Sequence, residues 1–215
     1  YYNKKDNNRM IWRSHDIHQI NLLCNNYKIP YYYKVGNISF YEFEKNKIKN
    51  LILRKKLNNF IVISTETKKE FFGKLRAWPK IYWEKLINLI RAEYPEIKII
   101  DVSIKSYHIK NVIQMGDLSY REIGVLISHA QCYVGTDSGV SHLAAITQNK
   151  SIIIWSGVIS PKLLSYRGIQ EIVSAKPAPS CINCGNLGWC NNDNICMKAI
   201  KPSVVYTKIK KTLSI

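Results

Sequence analysis

Residues 135–145 read GTDSGVSHLAA, directly after the apolar run CYV. A chain that leaves a strand through Gly135-Thr136-Asp137-Ser138-Gly139 and enters a helix carrying His142 gathers two hydroxyls, a carboxylate and an imidazole at one corner. Nucleophilic chemistry at Ser138 would need the serine at the apex of a G-x-S-x-G elbow, but here it stands directly beside Gly139. A serine triad also needs a base aligned by a third group, a task His142 is badly placed for, one helical turn from Ser138. Anion binding fits better. The first N–H groups of a helix have no internal acceptor, and the helix dipole is positive at that end. Gly139 would let a ligand approach the backbone, with the hydroxyls of Thr136 and Ser138 as further donors. The plain alternative is that Ser138 only caps the helix and His142 is a half-buried, satisfied residue. Spacing alone does not separate these two readings.

A second stretch bears on the choice. GKLRAWPKIYW (73–83) follows the apolar run ending IVIST and carries Lys74 and Arg76 in another strand-to-helix connection. If the strands are parallel, both connections lie at one sheet edge. Two cations facing a helix N-terminus would then make a diphosphate clamp. The competing reading is of solvated charges, with Trp78 and Trp83 as core anchors.

A third constellation is Cys181, Cys184, Cys190 and Cys196, spaced C-x2-C-x5-C-x5-C. Four thiolates can close a tetrahedral zinc or iron site with no open position, a structural staple for a loop short of core. Four reduced thiols or disulfides are the alternatives. No secretory segment opens the chain, since YYNKKDNNRM is polar and charged, so a reducing compartment is expected and metal is preferred over disulfides. Cys24 and Cys132 lie in apolar contexts and read as small buried hydrophobes.

The elements that must hold these residues alternate. Short β-branched runs occur at FIVIS (60–64), IKIIDVS (97–103), NVIQ (111–114), CYVG (132–135), SIIIW (151–155) and EIVSA (171–175). Helical periods lie between them. Pro79 opens one, with Trp83, Leu86, Ile87 and Ile90 on a single face. Another opens at Ser119, where Glu122 completes a capping box and Leu118 can staple to Ile123. A third, from Pro202 to residue 213, closes the chain. Strands apolar on both faces and separated by helices predict an α/β fold, a doubly wound parallel sheet of Rossmann-like kind covered on both sides. Residues 59–215 are expected as that domain. Residues 1–58, with a helical stretch at 15–27, a tyrosine run and a basic segment, are expected as the remnant of a preceding domain plus a linker. Because the chain opens on Tyr1, its natural start is expected to be missing.

The chain has 215 residues, 46% of them hydrophobic, enough for a proper core. No apolar run approaches the ~18 residues that span a bilayer. The net charge of +17 points to an anionic partner, or to a composition drifted toward Lys, Asn and Ile. No aromatic RNA-binding motif, zinc-finger repeat or recognition-helix pair is present, so nucleic acid is set below a phosphorylated ligand.

Together, Arg76-Ala77-Trp78-Pro79 with Trp83, and Gly135-Thr136-Asp137-Ser138-Gly139-Val140-Ser141-His142-Leu143-Ala144-Ala145, resemble the ADP-heptose-dependent heptosyltransferases, glycosyltransferases of GT-B fold. The cysteine loop with the following Met197 and Ile200 is similar to one near that family's C-terminus, and some of its autotransporter heptosyltransferases bind iron there. The resemblance covers about 60–215 and implies the C-terminal, donor-binding half of such an enzyme. It implies that Arg76 contacts the diphosphate of an ADP-heptose-like donor, assisted by Ser64, Thr65 and Lys74. Ser138 and Gly139 would offer N–H groups to phosphate, Asp137 would face the sugar, and His142 would orient the loop or reach a phosphate. It implies transfer to a lipopolysaccharide, another surface glycan or a protein, without an organic cofactor. It further implies a cytoplasmic location, with peripheral contact to an anionic inner membrane face. The family's acceptor site and catalytic carboxylate lie in a first domain for which residues 1–58 are too short, so no catalytic base can be named. A non-catalytic nucleotide-sugar-binding module is the second reading, and a serine hydrolase at Ser138 a distant third.

Overall fold

In the computed structural model, the described residues are 27–28, 35–36, 38–66, 73–186 and 189–213. The expected helix at 15–27, and Cys24 with it, lies outside them except for Tyr27. A helix α1 (Glu42–Arg54) leads into strand β1 (Phe60–Ser64), a short turn of helix α2 (Gly73–Arg76) and helix α3 (Lys80–Glu93). Then follow β2 (Lys98–Asp101), β3 (Ile113–Gln114), α4 (Tyr120–His129), β4 (Tyr133–Thr136) and α5 (Gly139–Ile146). The chain closes with β5 (Ser151–Ile154), α6 (Pro161–Leu164), β6 (Gln170–Val173), α7 (Ile195–Lys198) and α8 (Pro202–Leu213).

The strands form one six-stranded sheet in the order β3-β2-β1-β4-β5-β6. Every pairing is parallel. β1 is buried along its whole length, as are β4 and β5. That burial is why these strands carry unbroken β-branched runs rather than an alternation. The strand order reverses between β1 and β4, which pair through Val62–Tyr133, Ile63–Val134 and Ser64–Gly135. In open sheets of this kind, ligands enter the crevice beyond the carboxyl ends of the strands at that reversal.

Two cores cover the sheet. On one face α3 turns Trp83, Leu86, Ile87 and Ile90 inward, the face that the sequence period predicts, and α8 adds Val205 and Ile209. Fully burying each of these side chains is worth roughly 1.5–3 kcal/mol before conformational entropy is counted. Trp78 and Trp83 meet edge to face at 5.0 Å and are wholly buried. On the other face α4, α5 and α1 pack over Val62, Ile100, Tyr133 and Ile153. α4 starts at the predicted capping box: Glu122 N–H donates to Ser119 Oγ at 3.3 Å and Ser119 N–H to Glu122 Oε2 at 2.8 Å.

α1 belongs to the segment expected as remnant and linker, yet it packs on α4. It contributes the fully buried Ile48 to the second core. A two-pronged ion pair clamps it, with Arg121 Nε and Nη2 at 2.6 and 2.8 Å from the carboxylate oxygens of Glu44. Arg121 Nη2 also donates to the Ser39 carbonyl, and the guanidinium lies 5.0 Å from the Tyr41 ring centroid.

Candidate nucleotide-sugar site

The carboxyl ends of β1 and β4 deliver Ser64-Thr65 and Thr136-Asp137 to the crevice at the strand-order reversal. α5 begins there too, with Ser138 at its N-cap in extended backbone, φ −160° and ψ 173°. Across the crevice, α2 ends at Arg76. Its Nη1 donates to the Asp137 carbonyl at 3.1 Å and lies 3.3 Å from Asp137 Oδ2. Two segments 61 residues apart are thus joined by one guanidinium at the first turn of α5.

Asp137 is 4% exposed. Burial raises its pKa above the ordinary carboxylate value, while Arg76 and then His142 pull it back down. His142 Nε2 stands 3.9 Å from Asp137 Oδ1. Its Nδ1 lies 3.2 Å from the Tyr166 hydroxyl, with the two rings edge to face at 5.5 Å. Burial lowers the imidazole pKa below its usual value, and Asp137 opposes that shift. A Tyr166 O–H donated to Nδ1 leaves the Nε2 proton directed at Asp137. His142 is therefore turned to Asp137 and Tyr166. Ser138 Oγ is buried and has no hydrogen-bond partner among the described residues, so no base stands against it. The nucleophile reading loses its geometric requirement.

The plain capping reading keeps its ground: Ser138 and Ser141 form a capping box at the start of α5, Ser141 accepting from Ser138 N–H at 3.1 Å and donating to its carbonyl at 2.7 Å. Gly139 is exposed, and a Cβ built on it would meet nothing closer than the Tyr120 hydroxyl at 3.7 Å. The protein's own packing does not demand glycine there, whereas close approach by a ligand would. Gly135 differs, because a Cβ at that position would come within 2.1 Å of Tyr133 Oη.

Other expected residues are placed less simply. Thr65 is 1% exposed, and its hydroxyl donates inward to Asp101 Oδ2 at 2.6 Å while its N–H donates to Ser103 Oγ at 2.9 Å. Its hydroxyl proton is therefore committed to Asp101. Thr136 is also 1% exposed, within the sheet. Ser64 Oγ lies 3.4 Å from Ser103 Oγ. The side chain of Lys74 is exposed on α2, and it is its carbonyl that is used, accepting from Asn194 Nδ2 at 2.7 Å. Asp101, Ser103, Tyr120, Tyr133 and Tyr166 were not anticipated. Asp101, a carboxylate inside an apolar strand, was the visible signal among them. Tyr120 donates to the Gly139 carbonyl, closing one side of the α5 N-terminus.

The cysteine loop is bolted to the same region. Trp78 Nε1 donates to the Ile200 carbonyl at 3.0 Å, and the Asn183 and Gly185 N–H groups donate to the carbonyls of Gly157 and Val158. Cys181, Cys184, Cys190 and Cys196 are all free thiols. Burial raises the Cys196 pKa, backbone hydrogen bonds from Gly157 and Met197 pull it back, and Cys190 and Cys181 add a smaller upward push. Among the described residues, however, no group of three His, Cys, Asp or Glu side chains is close enough to hold a metal ion, contrary to a closed site at these cysteines. Cys132 is fully buried with its thiol pushed up to about 12, as its apolar context predicted. No helix among the described residues is long and apolar enough to cross a membrane.

Residues 2–165 match the family described as glycosyltransferase family 9 (heptosyltransferase). The chain belongs to that family. Its fold is shared with solved members at low identity. The family 9 glycosyl transferase of Veillonella parvula DSM 2008 superposes with a TM-score of 0.72 at 10% identity, over 93% of this chain and 61% of that one. The E. coli ADP-heptose lps heptosyltransferase II gives 0.61 at 14% identity, over 82% of this chain and 53% of that one. The dodecameric iron-containing heptosyltransferase TibC, solved in complex with ADP-D-beta-D-heptose, gives 0.58 at 18% identity, over 73% and 45%. The match thus spans about half the length of the two heptosyltransferases. No curated protein matches in sequence.

Proposed function

We propose that this chain is the donor-binding half of a glycosyltransferase that transfers a sugar from an ADP-heptose-like donor to a surface glycan, glycolipid or protein. The observation that carries the reading is Arg76, drawn across the strand-order reversal onto the first turn of α5. There the guanidinium, the first N–H groups of α5 and the exposed Gly139 converge on one volume outside the sheet. Asp137 holds Arg76, His142 lies behind them, and in this reading Asp137 is the residue that faces the sugar. A leaving nucleoside diphosphate develops negative charge as the glycosidic bond breaks, and fixed positive groups stabilise that charge without a metal ion. No residue of the chain is assigned as catalytic base.

Calorimetric titration with ADP and with ADP-heptose tests the reading. Saturable binding of both is expected, with Arg76→Ala weakening it by about 10-fold or more, as for loss of a charge-assisted contact. A folded wild-type protein that binds neither would overturn it. Binding without transfer to any acceptor by the whole protein would leave the second reading, a nucleotide-sugar-binding module.

Two further parts of the reading rest on other supports. The net charge of +17 favours peripheral contact of a cytoplasmic protein with an anionic membrane. For the four cysteines, the spacing and the iron named for TibC support a structural metal. Its binding would have to draw the loop closer than the present arrangement.

A further inference from the structure

The outer side of α1 combines positive charge with apolar groups that the fold leaves in water. Glu44 and Ile48 face inward, whereas Tyr41 at the N-cap, Phe43 and Leu53 are 65%, 69% and 65% exposed. From Glu42 to Lys56 the chain carries Lys45, Lys47, Lys49, Arg54, Lys55 and Lys56 against only Glu42 and Glu44. Glu44 is committed to Arg121, Glu42 pairs with Lys45 at 2.7 Å, and Lys47 pairs with Glu122. Lys49, Arg54, Lys55 and Lys56 are exposed, with no ion-pair partner among the described residues. Lys45, Lys49 and Leu53 recur at i, i+4 and i+8 and so form one stripe. Beside that stripe a cleft of about 390 Å³ opens between α1 and α4, floored by Phe40 and Val125 and rimmed by Lys45, Lys49, Ser128 and His129.

We infer that the outer side of α1, with this cleft, is the face by which the chain lies on an anionic membrane. The inference rests on the peripheral membrane contact proposed above and names the surface that makes it. Lys49, the Ser128 hydroxyl and a ring N–H of His129 would meet a lipid phosphate in the cleft, while Phe43 and Leu53 enter the boundary beneath the headgroups. A free phosphate would engage the cations and leave those apolar side chains in water. Nucleic acid would stack its bases on open rings, but Tyr41 is already engaged, stacked on Phe43 at 5.6 Å and lying 5.0 Å from the Arg121 guanidinium. The position also suits a transferase. α4 begins with Tyr120 against the α5 turn and ends with His129 in the cleft, about 13 Å further along its axis. A contact through α1 therefore leaves the proposed donor corner beside the lipid rather than beneath it.

The test is cosedimentation of the full chain with vesicles of phosphatidylcholine containing about 30% phosphatidylglycerol, and with phosphatidylcholine alone. Wild type should bind the anionic vesicles and not the neutral ones. The triple variant Lys49→Gln, Arg54→Gln, Lys55→Gln should weaken that binding about 100-fold, at about 5-fold for each charge. Phe43→Gln with Leu53→Gln should weaken it about 10-fold. Lys85→Gln with Lys211→Gln, on the helices covering the opposite face of the sheet, should weaken it less than about 3-fold, because charges beyond a Debye length are screened. All these positions are exposed, so each variant should keep the wild-type melting temperature and ADP affinity. Equal losses per charge in the α1 and control variants would overturn the α1 face while leaving a contact through overall charge standing. Undiminished binding by the Phe43→Gln, Leu53→Gln protein would reduce the contact to ionic adsorption and would also overturn it. Tighter binding of a single-stranded oligonucleotide than of the vesicles, lost in the same variants, would assign the face to nucleic acid instead. A wild type that ignores anionic vesicles would remove the face and the membrane contact together, and ADP titration would still decide the donor site on its own.

Discussion

Arg76→Ala separates the structural contribution of the Arg76–Asp137 pair from its contribution to binding. The guanidinium lies 3.3 Å from a carboxylate whose side chain is 5% exposed, and it is itself only 20% exposed. At an effective dielectric of ~20, two unit charges at that distance attract by about 5 kcal/mol, a gross figure from which desolvation of both groups subtracts. Removing one partner of a buried pair costs about 3–5 kcal/mol; with the partial exposure of Arg76, about 2–3 kcal/mol is expected near pH 7.5. For a chain of this size that is a fall in Tm of roughly 5–10 °C. Burial raises the folded-state pKa of Asp137 above its unfolded value, and Arg76 and His142 oppose that rise. Without Arg76, which lowers it, the pKa rises further. The cost of Arg76→Ala is therefore complete above the variant's folded-state pKa of Asp137, shrinks as pH falls through it, and vanishes below the folded-state pKa of the wild type. Urea unfolding at pH 7.5 and pH 5, repeated in an Asp137→Asn background where Arg76→Ala should cost under about 1 kcal/mol, measures this. An equal loss in both backgrounds at both pH values would refute the pairing argument.

Proton linkage offers a second check. The lowered pKa of His142 leaves it neutral in the free protein near pH 7, and a bound diphosphate raises it. ADP binding should then take up protons below pH 7 and tighten as pH falls, and His142→Gln should abolish the effect in calorimetry across buffers of different ionisation enthalpy. Gly135→Ala should destabilise by about 1–3 kcal/mol through the clash with Tyr133, and Tyr133→Val should recover part of that loss in thermal melts. Asp101→Ala should cost about 2–3 kcal/mol by stranding the buried donors of Thr65 and Ser103, read by urea unfolding. Protein purified under reducing conditions should carry about one zinc or iron per chain by elemental analysis, and Cys181→Ser with Cys184→Ser should remove it.

The sheet was legible because its signals are local. β-branched runs, the Ser119–Glu122 box and the Trp83–Ile90 stripe each fix a short segment, and parallel pairing then places every strand end on one edge. That geometry brought Arg76 to Asp137. Alternation within a turn was harder to read. Lys74 and Arg76 both looked like clamp residues; Arg76 reaches the α5 turn, while Lys74 is used through its carbonyl. Thr65 read as a donor to ligand, but its proton goes to Asp101, a partner fixed by the register of β1 against β2 that spacing along the chain does not reveal. The packing of α1 was harder to read for a compositional reason. Its inward stripe of Glu44, Ile48, Leu51 and Ile52 is narrow and surrounded by Lys and Asn, and its ion pair to Arg121 crosses 77 residues.

A carboxylate at the centre of the proposed anion site looks self-defeating, and the geometry shows why it need not be. With Asp137 ionised and His142 neutral, the corner's formal charges cancel against Arg76, so a diphosphate gains little long-range attraction from it. What Asp137 supplies is order. An arginine side chain loses about 1.5–2 kcal/mol of rotamer entropy when it is fixed. Here that loss occurs on folding, because the Asp137 carboxylate and carbonyl both hold Nη1. A donor meeting a guanidinium already in place is spared a factor of about 10–30 in affinity. With Arg76 and Asp137 cancelling, the empty corner is close to neutral, which limits the cost of burying it. The proton uptake by His142 predicted above would make it cationic once the proposed donor is bound.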